Sequence, residues 1–187
     1  MQQPDNTLRI QIILAGVGGQ GVVLASRVLS EMALIRGLPV ISAENHGMAK
    51  RGGSVVTTMK IGKFSDPLIR LGSADVLLGF THDEALRNLP FLKQAGQCFA
   101  NSSEPASSRI LAIDATGIAI QIGNPRAANL VLMGFTFAHP GLVLTVDDLN
   151  EAVRTVVPKR YLEANLHAVQ AGSEMAVATL ARRSANF

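Results

Sequence analysis

The chain has a single cysteine, Cys98, among 187 residues. One thiol closes no intrachain disulfide, and no multi-cysteine cluster site can be built from this chain alone. Cys98 sits in the apolar string QCFA, a setting that leaves a thiol buried and inert. Histidine is also sparse. Its four residues show neither HxxxH nor HxxE spacing, so no metal site is expected. Tryptophan is absent and tyrosine occurs once. The lysines and arginines are scattered, with no basic run and no interleaved aromatics, which argues against nucleic-acid binding. No stretch approaches the roughly 18 uninterrupted apolar residues of a membrane span. The opening MQQPDNTLRI lacks a basic region followed by an apolar one, so a soluble, cytoplasmic protein is expected.

Apolar residues are what the chain has in plenty: 48%, against 17% charged. That balance is high for a monomer. Either a large α/β core or a partner-covered surface explains it, and a homodimer is compatible with it. The length suits one domain spanning residues 1–187, large enough to bury a core without staples.

Residues 8–15 (LRIQIILA) form a short apolar run that ends at glycine, the mark of a buried strand. Residues 20–36 follow with an amphipathic helical pattern, and Gly37 stands at the position of a C-terminal cap. Residues 38–43 (LPVISA) read as a second strand, so the opening is a βαβ unit. Beyond a polar loop, SVVTTMKIG is β-branched and strand-like, and ADVLLGFT at 74–81 is another buried strand. A helix is expected over 82–95, from Leu86, Leu89 and Leu92, with strands at 97–101 and 110–113. Asp114 or Thr116 can cap the helix that follows. Further helices are expected at about 115–123, 127–137, 147–156 and 161–182. The expected fold is three-layer α/β: a mainly parallel sheet with helices on both faces, a Rossmann-like start and a helical C-terminal part.

Two loops carry the chemistry. In AGVGGQGVV, Gly16, Gly18 and Gly21 satisfy G-x-G-x-x-G between strand and helix, with Gly19 and Gln20 inside the motif. Glycines there permit a tight turn and let an anion approach the helix N-terminus. Glu44, at the end of the second strand, lies where a ribose-binding acid is expected. A turn that is glycine-rich for steric reasons alone reads the same way, so dinucleotide, other anion and no ligand all stay open. The second loop, ENHGMAKRGGS, holds Asn45, His46, Lys50, Arg51 and the pair Gly52-Gly53. Topology puts it at the same carboxyl edge of the sheet. Arg51 suits bidentate pairing with a carboxylate or phosphate, with Lys50 and His46 as weaker candidates for the same anion. A solvated surface turn is the plain alternative. Catalytic residues are not evident in either loop.

GVGGQGV, AKRGGSV and SDPLIRLGSADVLLGF occur in that order, followed by Asn129 in AANLVLMG and by Asn165 with Gly172 in EANLHAVQAG. This succession resembles the gamma subunit of 2-oxoacid:ferredoxin oxidoreductases, a domain shared with the beta subunit of indolepyruvate oxidoreductase. The resemblance implies an enzyme complex that oxidatively decarboxylates a 2-oxoacid to an acyl-coenzyme A. It also implies thiamine diphosphate, Mg2+, iron–sulfur clusters and coenzyme A in the assembly, none bound by this chain alone. The implied partners are alpha, beta and ferredoxin-like delta subunits, and the isolated chain is expected to be inactive. Two other readings stay open here: a free-standing NAD- or FAD-binding oxidoreductase, and a regulatory module.

Overall fold

The computed structural model describes residues 8–47, 52–104 and 107–184. Strand β1 (Arg9–Val17) leads into helix α1 (Val22–Ile35), then β2 (Val40–His46), β3 (Ser54–Gly62) and β4 (Ala74–Gly79). Helix α2 (His82–Asn88), β5 (Leu92–Asn101), β6 (Ile110–Ile113) and α3 (Ala115–Gln121) follow. The chain closes with α4 (Ala128–Phe137), α5 (Val146–Val156) and α6 (Leu162–Ser184).

The strands form one six-stranded sheet in the order β2-β3-β1-β4-β5-β6. β1, β4, β5 and β6 pair in parallel, while β3 runs antiparallel to both β1 and β2. Five strands thus point one way and β3 alone the other. The βαβ reading of the opening needs correction on this point. β1 and β2 are parallel and joined through α1, but β3 lies between them. β2 and β3 form a hairpin, from Val40 opposite Ile61 to His46 opposite Val55. The short connection of residues 47–53 suits a hairpin, whereas parallel crossovers usually run to a dozen residues or more, although β5 and β6 pair in parallel across residues 102–109.

Alternation along the strands divides the core. Ile12, Leu14, Met59, Val76, Leu78 and Phe99 face the larger apolar cluster, which α1, α3, α4, α5 and α6 cover. Ile13, Ala15, Leu77, Cys98 and Ala100 face a smaller cluster under α2 and Ile69 of the 63–73 connection. Both faces are buried, so the strands read as continuous apolar runs rather than alternating ones. Helices cover both faces, but very unequally.

The helix expected over 82–95 stops at Asn88, and Pro90 lies in the short 3-10 turn at 89–91. Leu92, helical by spacing, already belongs to β5 and is buried against the sheet. Asp114, not Thr116, caps α3: its side chain accepts the Gly117 N–H at 2.7 Å. Helices α4 and α6 cross at glycines. A Cβ on Gly172 would fall onto the Val131 carbonyl, and one on Gly134 onto that of Val169. No helix among the described residues is long and apolar enough to cross a membrane.

Candidate functional site

β1 ends at Val17, and the chain turns through Gly18–Gly21 into α1. Gln20 folds back on this turn. Its Oε1 accepts the Val17 N–H at 2.7 Å, and its own N–H donates to the Val17 carbonyl at 3.1 Å. The amide in the motif therefore seals the end of the strand. Gly19 and Gly21 have φ of 97° and 80°, the left-handed region that side-chain-bearing residues avoid. Gly16 is required by packing, since a Cβ there would lie 2.8 Å from Val22 and 2.9 Å from Phe80. Gly18 differs from all three. Its φ is not positive, and among the described residues an added Cβ would meet only the Gly53 carbonyl, at 3.8 Å. Packing among the described residues does not demand glycine at 18.

Helix α1 begins at Gly21 with no side-chain cap, and its first backbone bond is Ala25 N–H to Gly21 carbonyl. The first N–H groups of a helix have no intrahelical partner, and the partial positive charge of the helix gathers at this end, beside the cleft-lining Gly19 and Gln20. Asn129, 3% exposed at the start of α4, donates to the Gly21 carbonyl at 3.3 Å and accepts the Leu130 N–H. It cross-links α4 to the turn. Asn165 does only local work, donating to Tyr161 one turn earlier in its own helix region.

A cleft of about 370 Å³ lies outside the carboxyl ends of β1, β4 and β5. Gly19, Gln20, Phe80, Asn101, Arg126 and Asn129 line it. It sits at the point where the chain passes from one side of β1 to the other, the usual position for ligands in open α/β sheets. Arg126, exposed at the cleft, makes no ion pair among the described residues. Asn101 forms one wall, donating to the Phe80 carbonyl and to Thr116 Oγ1, and accepting the Thr116 N–H. Beyond that wall a second hollow of about 380 Å³ is lined by Asp83, Glu104 and Asp114. The edge is thus divided into a cationic compartment and an acidic one, and an anion is directed to the Arg126 side.

The second predicted loop does reach the first. Gly18 N–H donates to the Gly53 carbonyl at 3.0 Å, and Gly47 N–H to the Ser54 carbonyl at 2.7 Å. Gly52 and Gly53 therefore stand beside the glycine turn. Asn45 and His46 are strand residues of β2, not loop residues, and both are exposed. His46 Nε2 lies 3.5 Å from Glu44 Oε2. Lys50 and Arg51 lie outside the described residues. Glu44 is on the edge strand, with β3 interposed between it and β1. It cannot serve as the ribose acid that its sequence spacing suggested.

The sequence reading passed over Arg126, Asn101 and Glu84. A signal for Arg126 was present: it is the only Lys, Arg, Asp or Glu between Asp114 and Asp147. Cys98 is 1% exposed, and burial pushes its thiol up to about 12, against a smaller opposing influence of Arg109. Among the described residues no group of three or more His, Cys, Asp or Glu side chains could hold a metal ion.

Fold and cleft together define a Rossmann-like α/β domain with an anion-compatible edge and, among the described residues, no evident set of catalytic groups. Residues 11–175 match the pyruvate ferredoxin/flavodoxin oxidoreductase family, and the chain belongs to it. It is similar to the indolepyruvate oxidoreductase subunit IorB of Archaeoglobus fulgidus, with 30% identity over 91% of this chain and 96% of that protein. It is likewise similar to the 2-oxoglutarate synthase subunit KorC of Methanothermobacter thermautotrophicus, with 30% identity over 90% and 95%. Among solved structures, the keto/oxoacid ferredoxin oxidoreductase gamma subunit of Geobacter sulfurreducens superposes with a TM-score of 0.73. That match has 27% identity and covers 90% of this chain and 99% of the other. The chain is a subunit of the 2-oxoacid:ferredoxin oxidoreductase type, not a free-standing nucleotide-dependent dehydrogenase.

Proposed function

We propose that this subunit works in the cytoplasm within a complex of alpha, beta and ferredoxin-like delta chains, and that its cleft receives the phosphate groups of coenzyme A. The observation that carries this reading is Arg126, an arginine without an ion-pair partner among the described residues, facing the uncapped start of α1 across the cleft. A guanidinium and a row of backbone N–H groups are a matched receptor for phosphate oxygens. Coenzyme A is the polyanionic reactant of an acyl-coenzyme A-forming oxidation.

The residues of this chain do not suit the iron–sulfur clusters of such a complex. Its one cysteine is buried and its thiol is held protonated, so it offers no thiolate set for an iron–sulfur cluster. In this reading thiamine diphosphate, Mg2+ and the clusters are held by the partner chains. Lys50–Gly53 and the glycine turn supply the edge that packs against those chains, with Arg51 available for a carboxylate or phosphate. Leu68 and Leu71, at 64% and 68% exposure, add apolar surface that partner chains can cover.

Anaerobic purification of the tagged chain from its native cells tests the assembly. Larger thiamine- and cluster-binding chains should co-elute, with 2-oxoacid- and coenzyme A-dependent viologen reduction. In that complex Arg126→Ala should raise the KM for coenzyme A by about tenfold, the scale of one lost charge-assisted hydrogen bond. An unchanged KM would refute the phosphate reading.

A further inference from the structure

We infer that Glu84 is a positioning residue, acting through Ser54, for the glycine turn that borders the cleft; the inference rests on the phosphate reading above. Thr81-x-x-Glu84 has the form of a capping box. Thr81 makes its half, its Oγ1 accepting the Glu84 N–H at 3.3 Å. The reciprocal half is not made. Thr145 and Asp148 show the complete version on α5, where Asp148 returns to the Thr145 N–H at 2.8 Å. Glu84 turns away from its own helix instead. Its Oε2 accepts the Ser54 hydroxyl at 2.7 Å, and its Oε1 takes the Arg87 guanidinium.

The carboxylate is 2% exposed. A buried charge is retained only where its partners hold it, and each bond it makes is correspondingly stiff. Arg87 is two-thirds exposed and anchors to the same helix. Ser54 is therefore the only group through which Glu84 reaches another element among the described residues.

Ser54 is a junction. It is the first residue of β3 and pairs with Val17, the last residue of β1. Its carbonyl accepts the Gly47 N–H, closing the neck of the β2–β3 hairpin. The carbonyl just before it, that of Gly53, accepts the Gly18 N–H. Fixing the Ser54 side chain thus sets where Gly53 presents its carbonyl, and hence where the turn 18–21 holds its N–H groups. Glu84 touches no ligand in this scheme. It sets the geometry of those that do.

The test uses Ser54→Ala, with Ser54→Thr as the conservative replacement and Glu84→Gln as a second way to weaken the tie. Two readouts are taken: amide hydrogen exchange at Gly18 and Gly47 in the full chain, and steady-state kinetics in the assembled complex. The inference expects faster exchange at both amides and a KM for coenzyme A raised on the order of tenfold, as for a lost bond to a charged group. It expects kcat to be kept and Ser54→Thr to restore both readouts. If Arg126→Ala raises KM and Ser54→Ala does not, the positioning role is wrong and the phosphate reading stands. If Ser54→Ala speeds exchange but neither variant moves KM, the phosphate reading falls and takes the role of Glu84 with it. If Gly18 exchange is unchanged in both Ser54→Ala and Glu84→Gln, the tie does not exist.

Discussion

Gly18 donates its backbone N–H to the carbonyl of Gly53 across 3.0 Å. One hydrogen bond therefore joins two glycine motifs that stand far apart in sequence. The bond exists because β3 is inserted antiparallel beside β1, bringing the end of one loop against the start of the other.

Gly18 and Gly21 should separate function from stability. Gly21→Ala forces a side chain into the left-handed region and onto Asn129. It should cost about 1–3 kcal/mol and lower the melting temperature measurably. Gly18→Ala has room, and its stability should change by no more than about 0.5 kcal/mol. On the phosphate reading, a methyl group one residue before the cleft-lining Gly19 should nevertheless raise the KM for coenzyme A in the complex. Equal melting temperatures for the two variants would contradict the assigned geometry.

The α4–α6 crossing should tolerate no side chain at its centre. Gly172→Ala places a methyl on the Val131 carbonyl and 2.8 Å from the Phe135 nitrogen, both backbone atoms that cannot swing aside. Denaturant titration should show a loss of about 3 kcal/mol or more, as overpacking of a rigid contact produces.

Asp66 should make stability depend on acid pH. Its hydrogen bond to Lys60, aided by the Leu68 N–H, holds its carboxyl below the usual carboxylate range. A carboxyl depressed on folding stabilises above its unfolded pKa, and that contribution is lost as pH falls through the folded value. Asp66→Asn should thus melt below wild type at neutral pH, leaving the buried Lys60 without its ion-pair partner. The two melting curves should converge in strong acid. A gap that persists unchanged there would show that the effect is not ionic.

Cys98 should be silent to thiol reagents in the native chain. With its thiol near 12, the thiolate fraction at pH 8 is about one part in ten thousand, and access is closed as well. Labelling should track global unfolding in denaturant. Rapid stoichiometric labelling without denaturant would show that the smaller core opens.

Most elements were legible because their chemistry is local. Ser54–Gly62 and Ile110–Ile113 are observed at the limits their β-branched and apolar runs suggest. Gly37, with φ of 67°, stands just beyond α1. Errors arose where tertiary structure overrides spacing. Leu86, Leu89 and Leu92 are helically spaced, yet Pro90 breaks the helix and Leu92 is drawn into the smaller core. The order of β1, β2 and β3 was obscured by a familiar glycine signature, although a connection as short as residues 47–53 favours a hairpin. Half of the site was readable as glycines. The other half, Arg126, Asn101 and Glu84, comes from elements distant in sequence that meet only at the sheet edge.

The lone antiparallel strand also bears on the order in which the sheet assembles. β2 and β3 pair across a short connection, whereas each parallel pairing must wait for its intervening segment to loop back. Closure entropy is smallest for the hairpin, so its contacts should ripen first in the folding transition state. Substitutions such as Val55→Ala should slow refolding, while those in β6 should chiefly hasten unfolding. The hairpin that carries Gly53 to the glycine turn would then be the earliest part of the sheet to take shape, with the remaining strands added onto a template that already exists.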